Sequence, residues 1–329
     1  MSARAAVATL GRAAVATLGR CEAPAFEEDF VDALLAGLRR MPKSIPCKFF
    51  YDKEGSLLFE KICALPEYYP TRVELALLNG NADAMAAAIG PGAEIVEFGA
   101  GASEKIRPLL DALESPRAYL PIDISGSYLR SIAAQLQMQY PALVIEPIIG
   151  DFTRDVALPP PGGRRVGFFP GSTIGNFEPA EARAFLANAA RMLKGGGLLI
   201  GVDLVKDPSI LHAAYNDGAG VTAAFNKNLL ARANREAGAN FDLDQFDHYG
   251  FYNPLLYRIE IYLVSRKDQR VTVCGRTFGF SEGEAIHTEY SHKYTVKDFR
   301  SLAQSAGFIP RNVWCDQNRL FSIHWLEAP

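Results

Sequence analysis

No two of this chain's five cysteines (Cys21, Cys47, Cys63, Cys274, Cys315) form a C-x-x-C pair, and their number is odd. That excludes a disulfide framework and a zinc knuckle, and makes a reducing cytoplasm the expected location. The five histidines show no H-x-x-x-H and no His/Cys ligand spacing, so no metal site is expected. Acidic and basic residues nearly balance, 37 against 34, for a net charge of -3. There is no basic footprint of the kind nucleic acid requires. No apolar run is long enough to cross a bilayer, no G-x-S-x-G elbow marks a hydrolase, and no heptads announce assembly. What is present is a chain of 329 residues, 49% hydrophobic, long enough for two domains and suited to a small-molecule partner.

Residues 5–12 (Ala-Ala-Val-Ala-Thr-Leu-Gly-Arg) are repeated at 13–20. The repeat superficially resembles a transit peptide, but Gly-Arg breaks its short apolar run, and 1–24 is expected to be a disordered extension. Helical spacing begins near residue 27 and is expected over 27–40, 56–64 and 71–89. From 93 to 205 strands alternate with helices: strands at 93–98, 118–123, 143–148, 166–170 and 197–204, helices near 103–114, 126–139 and 179–193. That alternation predicts a doubly wound parallel α/β sheet. After Val205 come a helical stretch over 208–236, a polar and aromatic stretch at 240–253, and an alternating strand at 256–265. A further strand at 270–280 fits an antiparallel hairpin. A helix at 295–306 and strands at 309–315 and 320–327 close the chain. The expected division is a helical part at 25–75, a nucleotide-binding domain at 76–205, an insert at 206–293 and a return to the first sheet at 294–329.

The run Ile95-Val96-Glu97-Phe98-Gly99-Ala100-Gly101-Ala102-Ser103-Glu104-Lys105 reads as a buried strand entering a glycine turn, with a helix expected from Ser103. Gly99 and Gly101 allow a ligand close to the backbone. A dinucleotide turn usually carries a third glycine where this chain has Glu104. With Glu97 before the turn suiting a cation better than a diphosphate, S-adenosylmethionine is expected instead of a nicotinamide cofactor. Asp123 closes the next strand, placed for the ribose hydroxyls; an ordinary helix-start acid is the competing reading. Asp151 and Phe152, after the third strand, suit adenine, against a simple turn aspartate. Asn176 lies after the fourth strand, where a switch-point crevice faces its ligand, against an Asx turn. In His287-Thr288-Glu289-Tyr290-Ser291-His292, Glu289 and Ser291 share one strand face and could grip a polar heteroaromatic ring; an exposed polar strand looks much the same.

Six motifs in order then carry a resemblance: Phe50-Tyr51-Asp52-Lys53-Glu54-Gly55-Ser56, Leu65-Pro66-Glu67-Tyr68-Tyr69-Pro70-Thr71-Arg72, the 97–105 turn, Gly171-Ser172-Thr173-Ile174-Gly175-Asn176-Phe177, Ala214 to Asn226, and Thr288-Glu289-Tyr290-Ser291. From about residue 28 onward the chain resembles the S-adenosylmethionine-dependent histidine Nα-methyltransferases of ergothioneine biosynthesis. The resemblance implies conversion of L-histidine to its trimethyl betaine, hercynine, by a monomer whose N-terminal helices and insert form a substrate domain. It implies that Gly99 and Lys105 hold the methionine end of the cofactor, with Lys105 on its carboxylate, beside Glu97 and Gly101 as the turn's other cofactor-binding candidates. It likewise gives Asp123 to the ribose and Asp151 with Phe152 to the adenine. Tyr68, Asn176 and Tyr215 would hold the amino acid's α-carboxylate and amine, Tyr51 and Phe59 would line the transfer site, and Glu289 and Ser291 would take the imidazole. Two positions depart from the family pattern: Ile261 stands for a methionine and is expected to contact the side-chain pocket, and Tyr290 stands for a small aliphatic residue and is expected to face away from it. The rival readings are the same chemistry on tryptophan or another aromatic amine, a non-catalytic S-adenosylmethionine-binding protein, and a nicotinamide-dependent oxidoreductase.

Overall fold

The computed structural model describes residues 25–329 apart from Ala102 and Asp155, so the expected extension at 1–24 lies outside the described residues. In chain order come α1 (Ala25–Leu38), β1 (Lys43–Ser44), a 3-10 turn at Cys47–Phe50, α2 (Lys53–Cys63) and α3 (Tyr69–Ile89). Next are β2 (Glu94–Phe98), α4 (Arg107–Ala112), β3 (Ala118–Asp123), α5 (Gly126–Gln139), β4 (Val144–Ile145), β5 (Ile148–Ile149), β6 (Arg165–Phe169), α6 (Pro179–Met192) and β7 (Gly197–Asp203). Then come α7 (Pro208–Tyr215), α8 (Val221–Glu236), β8 (Phe246–Asn253), β9 (Arg258–Ser265), β10 (Gln269–Val273), β11 (Arg276–Phe280) and β12 (Ala285–His292). The last elements are α9 (Val296–Ser305), β13 (Ile309–Cys315) and β14 (Phe321–Glu327).

The central sheet runs β13-β14-β7-β6-β2-β3-β4, with β5 also on β3. Its strands are parallel from β4 to β7, while β14 lies antiparallel to β7 and β13 to β14. β2 and β7 are buried along their whole length, because helices cover both faces and leave no side for polar residues. Leu77, Leu78 and Met85 of α3 and Leu136 of α5 pack on one face. Leu186 of α6 and Phe299 of α9 pack on the other. This is a doubly wound, Rossmann-like α/β sheet closed by an antiparallel hairpin, as the alternation predicts.

A second sheet, β1-β12-β9-β8, comes from the insert except for its short first strand. Phe30 and Leu34 of α1, Ile45, Phe50 and Ile62 share one core with Phe225, Leu229, Phe246, Leu263 and Ile286. Helix α3 crosses the expected division at 75/76 without a break. Tyr69 in its first turn packs with Leu211, Tyr215 and Ile261.

Four elements differ from expectation for local reasons. The strand expected at 143–148 is two short strands, β4 and β5, since Pro147 between them has no N–H for a ladder. The helix expected over 208–236 is broken after Tyr215, and Asp217 caps the restart by accepting from the N–H of Val221 and Thr222 at 2.8 Å each. The single strand at 270–280 is a hairpin, turned at Cys274 (φ 46°) and Gly275 (φ 71°), a pair of left-handed residues that matches strand twist. The polar stretch at 240–253 contains β8, whose burial alternates along a one-sided strand.

Candidate functional site

At the end of β2, Gly99 turns the chain with a φ of 73°, a region that side-chain-bearing residues rarely adopt. The N–H groups of Gly99 and Ala100 both donate to the Ile122 carbonyl, at 2.9 and 3.0 Å, tying the turn to the end of β3. A Cβ on Gly99 would meet Phe152 at 3.1 Å, whereas one on Gly101 would enter open space. So Gly99 seats the turn on the Phe152 ring, and Gly101 leaves clear the face a ligand would approach. The expected helix start at Ser103 is corrected: 103–106 is a turn and α4 begins only at Arg107, with Pro108 in its first turn. No helix end is directed from Ser103, and the positive charge at the turn belongs to Lys105.

Lys105 Nζ lies 2.7 Å from Glu74 Oε2. Burial works against its charge, but Glu74 outweighs it and holds the ammonium above its usual range. Glu74, 1% exposed, also accepts from the Gly171 N–H at 2.8 Å. The sequence reading missed this residue; its signal is a carboxylate on the same buried face of α3 as Leu77 and Leu78. Glu97 is buried in β2, with the Tyr119 hydroxyl donating to it, and burial pushes its carboxyl up to about 8.

Asp123 ends β3 and accepts from the Ser125 N–H at 2.8 Å; burial raises its carboxyl. Hydrogen bonds from Ser125 and the Ile124 backbone oppose that rise. Asp151 accepts from the Thr153 N–H at 3.0 Å and from Lys48 Nζ at 3.1 Å. Burial opposes the charge, but these bonds hold the carboxyl below its ordinary value. Phe152 packs edge-on against Phe169 and Phe185. Gly99, Asp123, Asp151 and Phe152 thus gather at the carboxyl ends of β2, β3 and β5. That is the crevice in which an open α/β sheet binds a ligand. A clear glycine face, a carboxylate at a strand end, an aromatic ring and a cation fit the donors and charges of S-adenosylmethionine.

Across the crevice stands an aromatic row. Ring centroids lie 5.5 Å apart for Tyr51 and Phe59, 6.2 Å for Phe59 and Tyr68, and 6.3 Å for Tyr68 and Tyr215. Phe225 backs the row at 5.7 Å from Tyr51. Tyr51 is fixed by its neighbour Asp52, which caps α2 through the Gly55 N–H at 2.7 Å and accepts from Asn228 of α8 at 2.8 Å. Asn176 ends a 3-10 turn after β6. Its neighbour Gly175 lies so close to β12 that a Cβ would meet the His292 carbonyl at 2.7 Å. That contact brings the end of the central sheet to the insert sheet.

On β12, Glu289 lies opposite Ile261 and Ser291 opposite Ile259, with a bulge between His287 and Glu289. The bulge re-aims the strand. It sends His287 to the outer face, 5.3 Å from the Tyr262 ring, and turns Glu289, Ser291 and Ile261 inward. Tyr290 faces outward, under the Arg258 guanidinium at 3.6 Å. Glu289 has no hydrogen bond or ion pair among the described residues, and burial pushes its carboxyl up to about 7, with Lys293 opposing. Burial first, and the Glu289 charge in addition, raise the phenols of Tyr51, Tyr68 and Tyr215. The tyrosines therefore stay protonated. The Tyr51 and Tyr68 hydroxyls and the Asn176 amide, on half-buried residues, are also without hydrogen-bond partners among the described residues, which leaves them open to water or a ligand.

Behind Tyr215 lies a charged network absent from the sequence reading. Lys293 Nζ reaches Asp203 Oδ2 at 2.7 Å, Tyr215 Oη at 2.9 Å and Ser291 Oγ at 2.7 Å. Asp203 also holds Lys206 and accepts from the Tyr69 hydroxyl at 2.8 Å. Burial would raise the Asp203 carboxyl, but the two lysines outweigh it and hold it low. Among the described residues no group of His, Cys, Asp and Glu could hold a metal, no helix is long and apolar enough to cross a membrane, and Cys47, Cys63, Cys274 and Cys315 are unpaired.

Residues 30–328 match the family model described as histidine-specific methyltransferase, SAM-dependent. The chain is 44% identical over 287 residues to a histidine N-alpha-methyltransferase of Mycolicibacterium smegmatis, covering 85% of this chain and 89% of that one. It is 42% identical over 294 residues to the histidine N-alpha-methyltransferase of Mycobacterium tuberculosis, covering 88% and 91%. A 4-dimethylallyltryptophan N-methyltransferase of Epichloe festucae var. lolii is 28% identical over 326 residues, covering 89% and 93%.

Proposed function

Because this chain belongs to the histidine-specific, S-adenosylmethionine-dependent methyltransferase family, we propose that it converts L-histidine to Nα,Nα,Nα-trimethylhistidine, hercynine, by three successive methyl transfers. The observation that carries the choice of histidine is Glu289, a half-buried carboxylate raised by burial and without a partner among the described residues, facing the aromatic row beside Ser291. An imidazole N–H satisfies such a group; an indole or phenyl ring offers fewer suitable partners.

S-adenosylmethionine, when bound, supplies an electrophilic methyl for in-line displacement. The protein's part is alignment and a neutral amine. Lys105 takes the cofactor carboxylate from its seat on Glu74, Asp123 takes the ribose, and Asp151 with Phe152 the adenine; Glu97, Gly99 and Gly101 border the methionine end. Tyr68, Asn176 and Tyr215 hold the carboxylate and amine of the substrate, with Ile261 walling the side-chain pocket. An ammonium has no lone pair, so its proton must leave before each transfer. The raised phenol of Tyr51 is no strong base. It orients the amine and passes the proton to water. As methyls accumulate, the faces of Tyr51, Phe59 and Tyr68 hold the growing cation.

In this reading 25–75 and 206–293 work as a substrate unit over a methyltransferase unit of 76–205 and 294–329, in a cytoplasmic monomer that binds no nucleic acid. Incubation with S-adenosylmethionine and L-histidine, scored by mass spectrometry for mono-, di- and trimethylated product beside a tryptophan arm, tests it. Trimethylhistidine is the expected product. Methylation of tryptophan with histidine untouched overturns the substrate choice.

A further inference from the structure

Three elements meet behind Tyr215: β7 ends in Asp203, α7 ends in Tyr215, and β12 leads into Lys293. An ammonium has three protons. Those of Lys293 are matched by Asp203 Oδ2 at 2.7 Å, Tyr215 Oη at 2.9 Å and Ser291 Oγ at 2.7 Å. Lys293 is 3% exposed, so it touches no ligand directly. The two hydroxyls lie 2.9 Å from each other and each owns one proton. One proton fills the bond between them, and the other is left to donate outward. Both oxygens already accept from a cation, which strengthens them as donors. The pair therefore presents one polarised O–H beside the aromatic row, and it calls for an acceptor.

The charge around the pair has the same sense. Two lysines, Lys293 and Lys206, share the single carboxylate of Asp203. Burial lowers the Lys206 ammonium to about 8, with Asp203 and Asp316 opposing, so it still carries its charge at neutral pH. Glu289 is the other carboxylate facing Lys293, and its own burial holds it near half-protonation at neutral pH. The corner keeps a surplus of positive charge where screening is weak. A ligand carboxylate relieves that surplus.

We propose that Lys293, clamped by Asp203, is a specificity-determining positioning residue: acting through Tyr215, to which Ser291 donates so that the Tyr215 proton is the one left outward, it selects a methyl acceptor that carries a carboxylate beside its amine. The inference rests on the histidine reading and adds to it which end of the substrate this network serves.

Histamine isolates that end, since it keeps the imidazole and the amine and lacks the carboxylate. The experiment compares kcat/KM for L-histidine and for histamine in the wild type and in Lys293→Gln, with S-adenosylmethionine affinity as the check on folding. The wild type is expected to favour histidine by about 10⁴-fold, as a site built to hydrogen-bond a polar group does against an analogue that lacks it. Lys293→Gln should reduce that ratio by about tenfold through a higher KM for histidine, with histamine turnover little changed. A Lys293→Gln protein that binds the cofactor normally and either keeps the wild-type ratio or loses both substrates equally overturns the proposal. Where that variant fails to bind the cofactor, Lys206→Met decides. It keeps Lys293, Asp203 and both hydroxyls and removes the surplus charge together with a contact to Tyr69, which still bonds Asp203, so a ratio reduced about threefold supports the proposal and an unchanged ratio overturns it. A wild type that methylates histamine as well as histidine overturns this inference alone. One that methylates neither overturns the histidine reading and this inference with it.

Discussion

The two halves of the crevice treat their polar groups in opposite ways. On the cofactor side Asp123 caps Ser125, Asp151 holds Thr153 and Lys48, Lys105 sits on Glu74, and Glu97 takes the Tyr119 hydroxyl. On the substrate side Lys293 holds Tyr215 and Ser291 from behind, but the groups facing the aromatic row, the hydroxyls of Tyr51 and Tyr68, the Asn176 amide and the Glu289 carboxylate, have no partner among the described residues. A group already satisfied is held in place before its ligand arrives, and the ligand adds to its bonds. A half-buried group with no protein partner keeps its bonds for water until a ligand replaces it, so the ligand's fit decides the exchange. The cofactor half is thus rigid and general, and the substrate half is where selectivity resides.

The sharpest way to break this contrast is to remove the unpaired carboxylate. Glu289→Ala is expected to lower kcat/KM for histidine by about 100-fold, because an imidazole N–H would be buried without its charged acceptor. Cofactor affinity, read by calorimetry, should stay within about twofold, as the site is separate from the glycine turn. Equal losses in both would show that the halves are not independent. The converse change, Asp123→Ala, should weaken S-adenosylmethionine binding by about tenfold to thirtyfold through its lost ribose bonds, with the histidine KM at saturating cofactor little altered. Unchanged cofactor affinity would sink the ribose assignment.

Much of this contrast is legible in the sequence, and its gaps have physical causes. β2 and β7 are buried on both faces, so they read as apolar runs, and the acid ending β3 is found from its spacing to the glycine turn. Alternation along β12 pairs Glu289 with Ser291, but the bulge before Glu289 leaves no mark in the pattern, and only the fold shows that His287 is turned out. The late start of α4 has its signal in Pro108, which favours a helix's first turn and outweighs the pull of the glycine turn on the expected boundary. Glu74, Asp203 and Lys293 escape for a different reason. Each is explained by a partner on another element, and no local rule pairs charges across a sheet. Their trace is a charge standing among buried apolar neighbours, as Glu74 does on α3.

A pH profile sharpens the comparison further. Burial raises the Glu289 carboxyl to about 7, so below that pH it is protonated and no longer an ionised acceptor. kcat/KM for histidine should fall about tenfold per pH unit there, beyond the fall due to protonation of the substrate amine. Glu289→Gln should lack this extra limb. Stability has the opposite sign. A carboxyl raised by folding resists ionisation, so the ligand-free protein loses stability as pH climbs from the unfolded value near 4.5 to about 7. The difference in melting temperature between wild type and Glu289→Gln should therefore shift in favour of the variant over that window. A constant difference would mean that the folded protein does not perturb this group.

The smallest effect is expected one residue along, and it separates the inner face of β12 from the outer. Tyr290 pairs across from Glu260 and lies under Arg258 at 3.6 Å from its ring centroid. It departs from the family pattern, yet it points away from Glu289 and the aromatic row. Tyr290→Val keeps a branched residue suited to a strand and removes a cation–π contact worth about 0.5–1 kcal/mol. The variant should melt slightly earlier while kcat/KM for histidine, and the ratio of histidine to tryptophan, change by less than about twofold. A larger change in that ratio would place Tyr290 in the substrate's reach and show that the bulge does not divide the strand as its register indicates.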